Sequence, residues 1–325
     1  MQAAYINNGK LVLAELPEPV PGPGQALLRP VLAGICNTDL ELLAGYYGFC
    51  GVPGHEFVAV VEAAPERPEL VGSLVTADIN VGCGTCPRCR DGDSRHCPSR
   101  RTIGIRDWSG ALAERLLAPL AKLHAIPEGL SSEAAVFAEP LAAALEIGQQ
   151  VHITAGQRVL VLGDGKLGLL VALGLRPSAP SLLLAGRHAA KLAIASAQGV
   201  ATHLVPAGGE EDLPERLGRF DLVVEATGRP PGLDLALKLA RPEGVVVAKT
   251  TSHEPSTLDL ARLVVDEITL LGSRCGDLAL ALHYLANGWV DPRPLIEAVY
   301  PFAEVQAAFA HARRPGACKV LVDFS

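Results

Sequence analysis

Apolar residues come in short blocks over the first 145 or so positions. Ala26 to Leu32 and Phe57 to Glu62 are strand-length runs separated by turn residues, so this stretch reads as β-rich. Pro17-Glu18-Pro19-Val20-Pro21-Gly22-Pro23-Gly24 cannot be helical and predicts an extended connection. Near residue 150 the pattern changes. Arg158 to Leu162 is continuously apolar after its first residue, and a glycine-rich turn and an apolar helix follow. Next come Ser181 to Ala185, an alanine-rich helical stretch from Ala189 to Gln198, and apolar runs at Asp221 to Glu225, Gly244 to Ala248 and Ile268 to Gly272. Apolar strands alternating with helices predict a parallel sheet covered on both faces. From about Asp291 onward an amphipathic helix (Ala303 to Ala312) and a last strand (Lys319 to Asp323) are expected.

A chain of 325 residues exceeds one ordinary core, so two domains are expected. The net charge of -7, with no basic stripe, argues against a nucleic-acid or anionic-membrane partner. The first residues show no basic region followed by an apolar run, so no signal peptide is expected and the location expected is cytoplasmic. Val159 to Leu175 is almost wholly apolar but is interrupted by Gly163, Asp164, Gly165 and Lys166, which suits a buried strand, turn and helix better than a membrane span.

Two local motifs carry chemistry. Gly163-Asp164-Gly165-Lys166-Leu167-Gly168 matches G-x-G-x-x-G after a strand and before a helix, the context of a dinucleotide-binding turn. The pyrophosphate would sit on the helix N-terminus, where free N–H groups and the helix dipole favour anions. The next strand ends Ala185-Gly186-Arg187-His188, and no carboxylate stands about 20 residues after the first glycine to bind a ribose 2′-hydroxyl. Gly186 leaves room and Arg187 can pair with a 2′-phosphate, which favours NADP over NAD. A solvated loop role for Arg187 stays open. Cys83-x2-Cys86-x2-Cys89-x7-Cys97 places four thiols within fifteen residues, the pattern of a closed, structural tetrahedral zinc site. His96 is an alternative to Cys97 as the fourth ligand.

Cys36, His55 and Glu139 could hold a second, open zinc site. Together with the motifs above, Gly34-Ile35-Cys36, Gly54-His55-Glu56, Glu139-Pro140-Leu141-Ala142 and Val224-Glu225-Ala226-Thr227-Gly228 resemble, in order and over essentially the whole chain, the zinc-containing medium-chain dehydrogenase/reductase family. The resemblance implies an α/β fold: a Rossmann-type doubly wound parallel sheet plus a β-rich GroES-like catalytic domain. The boundaries expected are 1–147 for the catalytic domain (zinc lobe at about 80–100), 148–288 for the dinucleotide domain, and a return to the catalytic domain over 289–325. It further implies a catalytic zinc on Cys36, His55 and Glu139, with Glu56 a direct, water-mediated or exchanging ligand. Thr38 would relay the substrate proton and Asp39 would orient His55. Glu41 stands near where some members carry a relay histidine. Cofactor contacts are expected from Gly163, Gly165, Lys166, Leu167, Gly168, Gly186, Arg187, His188 and Thr227. The function implied is a zinc-dependent alcohol or polyol dehydrogenase with two zinc ions per chain, an NAD(P) cofactor and a small-molecule substrate. Ile268 to Gly272 would be an edge strand pairing across a homodimer, itself complete or half of a homotetramer. A zinc-independent quinone or enoyl reductase and a non-catalytic protein retaining the fold are the alternatives. Tyr46-Tyr47-Gly48-Phe49 could line a pocket or pack in the core.

Overall fold

A computed structural model describes residues 1–251 and 254–325, and the chain divides into two compact units. The first comprises Met1–Glu139 and Leu295–Ser325, the second Pro140–Pro294. The divisions fall eight residues before and six residues after the expected breaks at 147 and 288.

The first unit is built on a seven-stranded sheet. Along it lie Ile296–Pro301, Lys319–Asp323, Gln25–Gly34, Glu56–Ala63, Leu74–Ala77 and Leu123–Ala125, with Leu116–Pro119 also paired to Gln25–Gly34. Only Ile296–Pro301 and Lys319–Asp323 run parallel; the other pairs are antiparallel. The Pro17–Gly24 segment connects strands Lys10–Glu15 and Gln25–Gly34 without regular structure, since its prolines cannot complete a ladder. Helix Val305–Ala312 buries Val305, Ala308, Phe309 and Ala312, one stripe at helical spacing, against a core that includes Leu28, Phe57 and Ile103. Strand register does the positioning. Gly34 sits opposite Glu56 on one side and Leu321 on the other, so the residues after Gly34, those before Phe57 and the start of the last strand converge.

The second unit holds a six-stranded, wholly parallel sheet. In chain order its strands are Arg158–Leu162, Ser181–Gly186, Ala201–Leu204, Phe220–Glu225, Ala240–Ala248 and Thr269–Gly272. Their spatial order is 3-2-1-4-5-6, that of the Rossmann fold. Strands at the centre are apolar on both faces: Val159, Leu160, Val161, Leu222, Val223 and Val224 are all buried. Among the described residues no helix is long and apolar enough to cross a membrane.

Candidate active site and dinucleotide turn

Cys36 follows the end of strand Gln25–Gly34 and is the N-cap of helix Asn37–Leu43. His55 and Glu56 stand at the start of strand Glu56–Ala63, both buried. Ligand atoms of Cys36, His55 and Glu56 all lie within 4.8 Å of one another. Asp39, fully buried, organises them. Its Oδ2 accepts from the Cys36 backbone N–H at 2.8 Å, and its Oδ1 accepts from the Gly54 N–H at 3.1 Å. That same Oδ1 stands 3.4 Å from His55 Nδ1. Asp39 thus caps the helix through the Cys36 N–H and stands beside His55 without a hydrogen bond to its Nδ1. Thr38 Oγ1 lies 3.8 Å from Cys36 Sγ, so its hydroxyl is at the cluster.

Lys319 is the member sequence reasoning missed. It is almost fully buried, and its Nζ pairs with Glu56 Oε2 and lies 5.6 Å from the centre of the Phe137 ring. A β-carbon on Gly34 would stand 2.5 Å from Glu56 Oε2 and 3.4 Å from Lys319 Cδ, so glycine there is what admits the pair. Burial disfavours the charged lysine, but Glu56, Cys36 and Asp39 outweigh it and hold the pKa above its ordinary value. At His55 burial again opposes charge, and Asp39 and Cys36 prevail, raising the pKa well above the usual imidazole range.

Glu139, in the first turn of helix Ala138–Gln150, does not fall within the three-residue donor group. It is nonetheless close enough to respond to it. Burial raises its carboxyl to about 7, Glu56 and Asp78 add to the rise, and His55 and Lys319 oppose it.

The donor chemistry fits zinc: one thiol, one imidazole and one carboxylate. Two buried atoms of this set, His55 Nδ1 and Glu56 Oε1, have no hydrogen-bond partner. Glu56 thus keeps one oxygen on Lys319 and the other free to bind a cation.

The second cluster, Cys83, Cys86, Cys89 and Cys97, also has its four sulfurs within 4.8 Å of one another. Backbone N–H groups point at the sulfurs: Cys83 to Cys97 at 3.3 Å, Cys86 to Cys83 at 3.4 Å and Cys89 to Cys86 at 3.5 Å. Such bonds favour thiolates. The Thr85 hydroxyl and backbone hold the Cys83 thiol down at about 6. Cys86 rises to about 11: the Cys89 N–H favours its thiolate, but burial and the neighbouring thiols outweigh it. His96 turns instead to Asp93, 2.9 Å from its Nδ1, and is outside this set. The Tyr46 and Tyr47 rings lie tilted against each other with centres 4.0 Å apart, in a segment where Tyr47 is exposed, so the pair is not core.

In the second unit, Gly163 follows strand Arg158–Leu162, and Gly165 caps helix Lys166–Leu175. Gly163 has φ +114°, and a β-carbon there would meet the Ala226 carbonyl oxygen at 2.5 Å. A β-carbon on Gly168 would collide with the Gly163 carbonyl, whereas one on Gly165 meets nothing within 4 Å. Two glycines pack the turn and the third leaves its outer side clear, as an approaching pyrophosphate needs. Lys166 and Leu167 are half-exposed beside it. Thr227 faces inward: its N–H and hydroxyl both donate to buried Glu225 Oε1, at 2.8 and 2.6 Å, and the Thr250 hydroxyl donates to the same oxygen at 2.9 Å. Arg187 faces Glu210 across 3.6 Å, and His188 donates its backbone N–H to Asp164 Oδ2 at 2.6 Å.

Residues 22–128 match the family described as "Alcohol dehydrogenase GroES-like domain", and residues 178–286 match "Zinc-binding dehydrogenase". L-threonine 3-dehydrogenase of Streptomyces avermitilis is 30% identical over 97% of this chain and 96% of its own length. An alcohol dehydrogenase structure (rspB) from E. coli CFT073, complexed with NADH, is 28% identical, with a TM-score of 0.90 over 100% of this chain and 99% of that one. A zinc-binding dehydrogenase structure from Sinorhizobium meliloti 1021, bound to NADP, is 29% identical, with a TM-score of 0.90 over 99% of this chain and 98% of that one.

Proposed function

Because the chain belongs to the zinc-containing medium-chain dehydrogenase/reductase family and is an NAD(P)-dependent alcohol or polyol dehydrogenase, we propose that its reaction centre is the cluster of Cys36, His55, Glu56, Thr38 and Asp39. The observation that carries this reading is the convergence of thiol, imidazole and carboxylate within 4.8 Å, with a free oxygen on Glu56.

A zinc ion held there supplies Lewis acidity, of the kind that lowers the pKa of bound water from 15.7 to about 7. Cys36 and His55 are the fixed ligands. Glu56 and Glu139 are the two carboxylates available to complete the set. Asp39 holds the Cys36 backbone and stands beside His55 Nδ1, which keeps the other ring nitrogen for the metal. Thr38 Oγ1 would accept the proton of a substrate hydroxyl while passing its own to solvent, and a nicotinamide bound at the Gly163 turn would supply the hydride acceptor. Cys83, Cys86, Cys89 and Cys97 hold a second, structural zinc, giving two per chain. The NADP preference expected from Arg187 depends on a guanidinium that here already has Glu210 beside it. For assembly, Thr269–Gly272 ends its sheet as an edge strand with Leu270 exposed, which supports a homodimer or a homotetramer built from it.

Elemental analysis and turnover over an alcohol and polyol panel test the reading. The expected result is two zinc ions per chain, falling to one in Cys36→Ala with loss of turnover. One zinc in the unaltered protein, with Cys36→Ala fully active, favours the zinc-independent quinone or enoyl reductase instead.

A further inference from the structure

Strand Ser181–Gly186 ends without a carboxylate of its own, yet a carboxylate stands at its end. A β-carbon on Gly186 would lie 2.5 Å from Asp164 Cγ and 2.6 Å from Asp164 Oδ2. Asp164, the second residue of the Gly163 turn, therefore fills the volume that a side chain at 186 would take. It is 6% exposed. Its Oδ2 accepts the His188 N–H at 2.6 Å, and His188 Nδ1 lies 3.0 Å from Oδ1 and 3.1 Å from Oδ2.

We propose that Asp164 selects the dinucleotide: delivered from the first turn, its carboxylate replaces the missing strand-end acid and favours NAD over NADP. The proposal rests on the reading of the Gly163 turn as a dinucleotide site. A carboxylate offers about four acceptor positions, and His188 brings only its backbone N–H and Nδ1 to the two oxygens, so acceptor capacity is left for a ribose hydroxyl. A hydroxyl donated to a carboxylate makes a strong, charge-assisted hydrogen bond. A 2′-phosphate instead brings close to two further negative charges beside a carboxylate that is shielded from water. The two basic side chains that follow Gly186 are already engaged. Arg187 stands opposite Glu210, and His188 already turns its ring toward Asp164.

A purely structural role is the competing explanation, because His188 is the N-cap of helix Ala189–Ala197 and Asp164 fixes its backbone. That role would alter stability and leave the ratio of cofactor affinities unchanged. Fluorescence titration of NADH and NADPH, and calorimetry with 5′-AMP and adenosine 2′,5′-bisphosphate, read the ratio without turnover. NADH should bind at least about tenfold more tightly than NADPH. Asp164→Asn keeps the shape and an acceptor for the His188 N–H, and should erase most of that ratio while melting as a folded protein. The double variant Asp164→Gly/Gly186→Asp clears the colliding atoms, moves the carboxylate to the strand and should restore the preference. Tighter NADPH binding by the unaltered chain, or an unchanged ratio in Asp164→Asn, overturns the proposal. Binding of none of the four ligands by the folded, zinc-loaded chain overturns the dinucleotide reading beneath it as well.

Discussion

Lys319 shows how much one residue can carry. A charged ammonium is costly to bury, and it is tolerated here because Glu56 pairs with it and the Phe137 ring lies close by. Removing one partner of such a pair strands the other. Lys319→Met is therefore expected to destabilise the first unit by about 3–5 kcal/mol, read by chemical denaturation. Lys319→Met/Glu56→Gln should recover most of that loss, since an amide carries no charge to strand. Equal stability of Lys319→Met and the parent protein would show that the pair contributes nothing. This residue was not legible in the sequence. Lys319 is one lysine at the head of an apolar strand, 263 positions from its partner, and only strand register brings the two together. Cys36, His55 and Glu56 were legible because each sits in a short motif. Glu139 was legible as a motif too, but whether its carboxylate enters the donor group depends on where a helix begins, which spacing does not reveal.

Among elements, the glycine turn and the cysteine lobe were readable because their contacts are local. Four cysteines within fifteen residues can hardly avoid meeting, and three glycines where a strand passes into a helix dictate a backbone path. Cys97→Ser should lower the zinc content from two ions to one while the centre at Cys36 keeps its metal. Hydrogen exchange should then speed up over residues 83–97 and stay unchanged over the sheet. Retention of two ions by Cys97→Ser would remove Cys97 from the ligand set. Strand pairing in the second unit has an electrostatic clamp of its own. Asp221 accepts from Arg241 Nε at 2.6 Å and from the Arg158 N–H at 2.8 Å, and these bonds hold its carboxyl below the usual range. A lowered folded-state pKa stabilises above the unfolded value, near 3.9, and the gain disappears as pH falls through the folded value. Arg241 is partly solvated, so after screening Asp221→Asn should cost about 1 kcal/mol at pH 7. Thermal melts of variant and parent should converge as the pH falls below the usual carboxylate range. A constant gap throughout acidification would show that the carboxylate's charge is immaterial.

At the scale of the whole molecule, four exposed apolar residues fall close together in the sequence of the second unit. Leu260, Val264 and Val265 are 63%, 64% and 79% exposed on helix Leu260–Val265, and Leu270 follows on the edge strand. Apolar side chains beside an unpaired strand edge are what a second copy would cover. Leu270→Lys is expected to convert the assembly to a monomer in size-exclusion chromatography with light scattering, with zinc content unchanged. A parent protein that is already monomeric would refute the edge-strand assembly. The Rossmann strand order was within reach of the sequence, since alternating apolar strands and helices admit few arrangements. The selector at its cofactor end was not, because Asp164 lies in the turn while the vacancy it fills is at Gly186.

The first unit is interrupted in sequence, its closing residues Leu295–Ser325 coming after the whole of the second. A ribosome therefore delivers Glu56 long before the strand bearing Lys319 has been made. At about 5–20 residues per second, the nascent chain carries that carboxylate without its counter-ion for more than roughly ten seconds. The uninterrupted unit can organise in the meantime, while the metal-binding one must wait for its final strand to emerge.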